Sequence, residues 1–120
     1  MAGYDIVDVS DLDGEGPSGM VRKARRAVGA KAFGFNYFVF PPNQEGLEHD
    51  HVDSNQEEVY FVVKGSGMMR IDGEEIELRP GRFVRVDPGA TRVLVSGADG
   101  LESVTFGAPI DAQYEPPSWG

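Results

Sequence analysis

The sequence contains no cysteine, which excludes disulfide bonds and thiolate metal sites and fits a reducing compartment. It also lacks any apolar run approaching the roughly 20 residues that a membrane-spanning helix needs. The N-terminal stretch MAGYDIVDVSDLDGEG has neither the basic start nor the apolar segment of a signal peptide. We therefore expect a cytoplasmic protein that does not bind or cross a membrane.

Positive charge is scarce as well. The chain has 11 Lys and Arg against 20 Asp and Glu, a formal net charge of −9. This balance disfavours nucleic acid and anionic membranes as partners, because both are polyanions. The basic segment 20–28, MVRKARRAV, departs locally from this pattern, and we interpret it as a solvated face.

The 120 residues suit one domain, and their pattern is typical of β-structure. Sixteen glycines and eight prolines separate short apolar runs, as in sandwiches and barrels. At least seven short strands follow from this pattern, at residues 32–40, 59–64, 68–71, 75–78, 83–86, 92–95 and 104–106, with one more at 4–9. The sequence therefore predicts an all-β, antiparallel fold with little helix.

Local signals set the expected element ends. Asp72-Gly73 predicts a tight hairpin. Gly65 is expected to end the strand at 59–64, and residues 97–100 are expected to form a turn. Residues 20–28 predict a short helix ended by a glycine, with an edge strand as the alternative. The proline-rich tail predicts an extended arm pinned by Trp119.

The two histidines of the chain, His49 and His51, stand close together in EHDHVDSNQEE, residues 48–58. Side chains alternate along an extended strand, so the two histidines share one side, as do Gln56 and Glu58. Two imidazoles and a carboxylate on one face suit zinc, iron, manganese, nickel or copper. The alternative is an exposed loop at residues 46–55 with both histidines solvated.

This segment resembles the first conserved motif of the cupin superfamily. In that motif a glycine precedes HxH, a glutamate follows, and six residues separate the glutamate from a second glycine; here these are Gly46, His49, His51, Glu58 and Gly65. The stretch LRPGRFVRVDPGATR is similar to the second motif. The resemblance covers residues 33–107. It implies a double-stranded β-helix, or jelly-roll barrel, at residues 32–107, with a lead-in at 1–31 and an extended tail at 108–120.

Two departures from the family pattern change the expected metal site. The second motif normally supplies a histidine where this chain has Arg92, and a guanidinium is not a metal ligand. The resemblance therefore implies a reduced ligand set of His49, His51 and Glu58. The loop between His51 and Glu58 is also longer than usual, which leaves Gln56 as a further candidate.

Arg92 has several expected roles. It could face inward and bind an organic anion, or pair with Glu58. It could also form a structural salt bridge or reach out of the barrel mouth. Tyr60 should line the interior together with Glu58, so the predicted ligand-binding residues are Arg92, Tyr60 and Gln56.

Three functions remain open at this point. The first is binding of a small molecule inside the barrel, with a divalent metal (Zn, Mn, Fe or Ni). The second is a metal-dependent oxygenase, isomerase or lyase for a small acidic or sugar-like substrate. The third is a non-catalytic protein with a vestigial metal site. Because Val59, Phe61 and Val63 present an apolar outer face, and cupins commonly dimerise through such faces, the resemblance also implies a homodimer.

Overall fold

Six antiparallel strands dominate the computed structural model, which describes residues 3–120. The elements are β1 (Val21–Arg22), α1 (Ala24–Val28), β2 (Gly34–Phe40), β3 (Gln56–Ile71), β4 (Glu74–Leu78), β5 (Phe83–Val86) and β6 (Arg92–Pro109), with 3-10 helices at Val9–Asp11 and Pro17–Gly19. The predicted all-β, antiparallel fold with little helix is confirmed. No helix among residues 3–120 is long and apolar enough to span a membrane.

The two longest strands, β3 and β6, form the centre of the sheet. They pair antiparallel from Gln56 with Pro109 to Ile71 with Arg92, and the register shifts at two bulges. The strand order is β1-β2-β6-β3-β4, and β5 pairs with the first half of β3. Each long strand therefore contributes to both halves of the structure.

The two halves of the sheet enclose one core. Its buried members come from both halves of β3, from other strands of the sheet and from the residue just before β1: Met20, Phe40, Tyr60, Val62, Met69, Leu78, Val86, Leu94 and Leu101. Tyr60 is 3% exposed, which confirms its predicted inward orientation, and Val62, two residues further along β3, is 1% exposed. Since one apolar cluster contacts both halves, the bent sheet closes into the predicted jelly-roll barrel.

The bulges explain two predictions that were wrong. Gly65 does not end a strand, because β3 runs through it to Ile71. Its φ is 91°, and a Cβ at this position would collide with the backbone carbonyl of Gly100. The glycine therefore allows β3 to bend, and pairing with β6 resumes in a shifted register at Gly67. For the same reason, residues 97–100 lie within β6 and do not form a turn between two strands.

The hairpin between β3 and β4 agrees with its sequence signal. Asp72 and Gly73 have φ angles of 48° and 87°, as a type I′ turn requires. The register pairs Ile71 with Glu74 and Met69 with Ile76. The hairpin prediction at Asp72-Gly73 is therefore confirmed.

The N-terminal region differs from prediction. Residues 4–8 form no strand, and Ile6 is 80% exposed, so no sheet edge covers it. Both interpretations of residues 20–28 hold in part, because β1 pairs with β2 and α1 ends before Gly29. Met1 and Ala2, which begin the predicted lead-in, lie outside the described residues. The boundaries at residues 31 and 107 stay a prediction.

The C-terminal region also requires a correction. β6 continues to Pro109, and the residues after it lie largely outside regular structure. Trp119 is 88% exposed, so the prediction that it pins the tail is wrong. An indole that is mostly in water makes too little apolar contact to fix an extended arm.

Candidate functional site

The histidine segment is aligned against the start of β6. His49 and Arg92 exchange backbone hydrogen bonds of 3.0 and 2.9 Å, and the His51 amide donates to the Pro88 carbonyl over 2.9 Å. This local pairing holds the segment extended and turns both imidazoles towards β3. Their side chains are 43% and 26% exposed, so neither is fully solvated.

The predicted metal ligands come together. His49 Nε2 lies 3.7 Å from Glu58 Oε1, and His51 Nε2 lies 3.3 Å from Glu58 Oε2. One ligand atom from each of the three residues lies within 4.8 Å of the other two. Gln56 is not part of this group and lines a neighbouring cavity.

The second nitrogen of each imidazole is also engaged. His49 Nδ1 lies 3.0 Å from the Leu47 carbonyl oxygen, and His51 Nδ1 lies 3.3 Å from Ser54 Oγ. A carbonyl can only accept, so His49 carries its proton on Nδ1, and the Nε2 lone pair of the neutral ring faces the Glu58 carboxylate. The lone pair and the negatively charged carboxylate repel each other, and a proton or a metal cation between them relieves this repulsion. Contact with Glu58 accordingly raises the pKa of His49. The donor set and its outer contacts fit a divalent transition metal.

Arg92 faces inward and is 1% exposed. Its Nη2 donates to Glu58 Oε1 over 2.9 Å and its Nε to the Tyr60 hydroxyl over 3.3 Å. Its Nη1 donates to the carbonyl oxygens of Ala90 and Asp87 over 2.7 and 3.4 Å. The structure therefore places Arg92 in the predicted pair with Glu58, and the side chain does not reach out of the barrel mouth.

These contacts fix the protonation of the carboxylate. Burial alone would raise the pKa of Glu58, but contact with His49, the hydrogen bond from Tyr60, the proximity of His51 and the hydrogen bond from Arg92 outweigh burial and lower it to about 2. Burial and the neighbouring carboxylate raise the pKa of Tyr60, whose hydroxyl donates to Glu58 Oε1 over 2.8 Å. The site thus holds an ionised carboxylate whose charge Arg92 balances, and its attraction for a cation is weaker than that of an unpaired carboxylate.

The group of His49, His51 and Glu58 opens onto a cavity of about 350 Å³ inside the barrel. Its polar end is formed by His49, His51, Glu58, Tyr60 and Arg92. The remaining wall is mostly apolar and comes from Pro17, Met20, Val21, Phe38, Phe40, Leu47 and Leu94. Apolar lining with a few converging polar groups is typical of small-molecule sites.

A smaller cavity of about 200 Å³ lies on the other side of the group. Asn36, Phe38, His51, Glu58 and Thr105 line both cavities, so the polar group lies where the two spaces meet. Gln56 contributes to the smaller one.

Sequence reasoning missed several residues of this site. Asn36, Phe38, Leu94 and Thr105 are not among the site residues that the sequence predicts. Alternation along β2 places Asn36 and Phe38 on one side, but only the register, in which Asn36 pairs with Thr105, shows which residues they face.

Comparison with solved structures identifies the fold. A cupin protein from Bacteroides fragilis superposes with a TM-score of 0.81 at 19% identity, covering 98% of this chain and 93% of that chain. A predicted oxalate decarboxylase from Thermotoga maritima gives 0.72 at 19% identity, covering 88% and 100%. A sugar phosphate isomerase from Silicibacter pomeroyi gives 0.71 at 19% identity, covering 87% and 75%. At these identities the likeness concerns the fold alone.

Sequence comparison gives the family. An uncharacterized protein of Methanocaldococcus jannaschii is 32% identical over 50 residues, which are 42% of this chain and 38% of that protein. The chain thus matches well under half the length of this curated relative. Residues 36–99, just over half of the chain, match the model of the cupin domain family. The chain therefore belongs to the cupin family.

Proposed function

We propose that this cupin binds a small organic acid with an apolar body inside its barrel, anchored by a divalent metal at His49, His51 and Glu58. The observation that carries the proposal is the convergence of three ligand atoms within 4.8 Å at the polar end of a largely apolar cavity. Pockets of this composition bind amphipathic ligands, because the body is desolvated while the polar head keeps a partner.

The metal would be held by His49 Nε2, His51 Nε2 and the Glu58 carboxylate. Nitrogen and oxygen ligands of this kind suit Zn, Mn, Fe or Ni. When bound, the metal would supply Lewis acidity to a coordinated ligand oxygen. Arg92 would position Glu58, because the hydrogen bonds of its guanidinium to the Ala90 and Asp87 carbonyls fix its location.

The cavity lining favours one class of ligand over another. A sugar-like molecule carries hydroxyl groups on every side and would leave them unpaired against Phe38, Phe40 and Leu94. An acid with an aromatic or aliphatic body directs its carboxylate to the metal and its body to this wall. Tyr60 would contribute its ring edge and hydroxyl to the polar end, and Gln56 would act from the smaller cavity.

A metal-dependent enzyme (an oxygenase, isomerase or lyase) is the second candidate. Three protein ligands leave coordination positions open, which is the arrangement of catalytic rather than structural metal sites. Substrate turnover by the metal-loaded protein, lost in His49→Ala, would favour this candidate over simple binding.

Metal analysis tests the proposal. Elemental analysis of protein purified without a histidine tag should give about one metal per chain, or calorimetric titration of EDTA-treated protein should show one saturable site. His51→Ala should abolish that site. Glu57→Gln is the matched control, since Glu57 neighbours Glu58 in sequence but pairs with Arg85 on the surface. If neither measurement detects metal, the metal part of the proposal is wrong and the site is vestigial.

We also propose that two chains associate through the outer face of the sheet. Phe33, Phe35 and Phe106 cluster there with ring centroids 5.5 to 6.2 Å apart. Phe33 and Phe106 remain 45% and 37% exposed, and Val63 on the same face is 41% exposed. A second copy would remove this apolar surface from water.

A further inference from the structure

We propose that Asn36 and Thr105 form a recognition point for a second polar group on the ligand, in addition to its metal-bound carboxylate. This inference rests on the proposed function, because it assigns specificity within the same cavity. It narrows the ligand to an acid with an apolar body that also carries a hydroxyl or carbonyl group.

Thr105 supplies the first observation. It is 5% exposed, and its Oγ1 has no hydrogen-bond partner among residues 3–120. A buried hydroxyl without a partner is unfavourable, and a valine of the same shape would avoid that cost. Thr105 lines both cavities, so a molecule in either space lies beside the side chain that carries this unpaired hydroxyl.

Asn36 supplies the second observation. It is the direct cross-strand partner of Thr105, and it also lines both cavities. Within the part of the chain that the structure describes, its side-chain amide makes no hydrogen bond to protein. Thr105 also pairs with Tyr60 of β3. Asn36, Thr105 and Tyr60 therefore form one row across the inner wall, and this row ends beside Glu58.

The chemistry of the pair defines the ligand group. An amide and a hydroxyl can each donate and accept, so together they can bind either a hydroxyl or a carbonyl oxygen. Phe38, which neighbours Asn36 along the inward side of β2, keeps the surrounding wall apolar. A ligand group placed there without hydrogen-bonding capacity would leave both protein groups unpaired. The free-energy cost of the unpaired groups makes the site prefer ligands with a hydroxyl or carbonyl over those without one.

Ser103 is a matched control within the same strand. It is the neighbouring inward residue of β6, is 1% exposed, and its Oγ also lacks a partner among the described residues. It lines neither of the two cavities. Ser103 thus shares the burial and the unpaired hydroxyl of Thr105 but not its access to a ligand.

The experiment uses near-isosteric probes on the metal-loaded protein. The 4-hydroxy and 4-methyl forms of benzoate, phenylacetate and 3-phenylpropionate differ in one polar group and vary its distance from the carboxylate. We expect wild type to bind the hydroxy form of at least one length about tenfold more tightly. Thr105→Val and Asn36→Leu should reduce this preference to less than about threefold, whereas Ser103→Ala should keep it.

Unfolding without ligand separates recognition from a structural role. Thr105→Val should leave the melting temperature of the ligand-free protein unchanged or raised; a fall of more than about 5 °C would mean that the hydroxyl is bonded within the protein, and would overturn the inference. Equal affinity for the hydroxy and methyl forms of every acid would also overturn the inference, while the proposed function stands. The inference would likewise be wrong if Ser103→Ala lost the preference for the hydroxy form as fully as Thr105→Val does. If no acid of the series binds, the proposed ligand class fails, and the inference fails with it.

Discussion

Arg92 donates from Nη2 to Glu58 Oε1 over 2.9 Å, and the two side chains form an ion pair that is 1% and 13% exposed. This contact orients the carboxylate, contributes to its ionisation and balances its charge. The stability of the barrel and the affinity for a metal consequently depend on the same pair.

Removal of the carboxylate should destabilise the protein. Glu58→Ala leaves the Arg92 guanidinium buried without its counter-ion, and we expect a loss of about 3 kcal/mol in the free energy of unfolding. Urea denaturation in EDTA measures this without a contribution from metal. Glu57→Ala, which breaks a partly exposed pair with Arg85, should change stability little. Equal effects of the two substitutions would show that the Glu58–Arg92 pair is not buried in solution.

Replacement of Arg92 by histidine should strengthen metal binding. Arg92→His removes a cation from the carboxylate and adds a ligand, so affinity for zinc, nickel or manganese should rise at least about tenfold, or about 1.4 kcal/mol. Calorimetric titration measures the affinity. Bound metal should also raise the melting temperature of this variant more than that of wild type.

Two further variants assign the cause of that gain. Arg92→Met removes the charge without adding a ligand, so its gain should be smaller than that of histidine. Arg85→His places the same residue type on the surface, where Arg85 is 55% exposed, and should leave affinity unchanged. If Arg92→His binds metal no better than wild type, the three ligands already determine the affinity.

Tyr37 should make stability fall at high pH. Burial, the 2.7 Å hydrogen bond to Glu102 and the negative charge of Glu102 raise the pKa of Tyr37 from 10.0 to about 12. Between these values the folded protein keeps a proton that the unfolded chain has released, so the stabilisation is complete below pH 10 and is lost as pH rises towards 12. The urea midpoint should therefore drop more between pH 8 and pH 11 in wild type than in Tyr37→Phe. Tyr114→Phe, at an 81% exposed position, should behave like wild type.

The outer aromatic cluster should control oligomeric state. Sedimentation at micromolar concentration should give twice the 13.0 kDa mass of the chain, and Phe106→Asp should give the monomer. Val52→Asp introduces the same charge at a 59% exposed position in the loop before β3 and should leave the dimer intact. A wild-type monomer under these conditions would contradict the dimer proposal.

The bend in β3 should depend on the glycine at its bulge. Gly65 and Gly73 both have positive φ, but a Cβ would meet other atoms within 4 Å only at Gly65. Gly73→Ala should cost about 1 to 2 kcal/mol from its backbone conformation alone. Gly65→Ala should cost clearly more, because the Gly100 carbonyl has to move. Similar urea midpoints for both variants would show that the bend relaxes without cost.

The sequence by itself determined the fold class, the hairpin and the composition of the candidate metal site. Alternation in QEEVYFVV specified that Glu58, Tyr60 and Val62 face one way, and Asp72-Gly73 specified a turn through local backbone preferences. These features depend on neighbours in sequence, so they can be derived without tertiary contacts. The resemblance to the cupin motif likewise indicated His49, His51 and Glu58 as candidate ligands, although the loop before Glu58 is longer than usual.

Only the tertiary structure decided which other residues these side chains contact. Gly65 was expected to end a strand, yet its close approach to Gly100 makes it a bend within one continuous strand. Arg92 had several expected roles, and contacts with Glu58, Tyr60 and two loop carbonyls selected the ion pair. Asn36 and Thr105 line the cavity because the register of β2 and β6 pairs them on the inner face of the sheet. Register and closure join residues far apart in the chain, so local sequence patterns do not specify them.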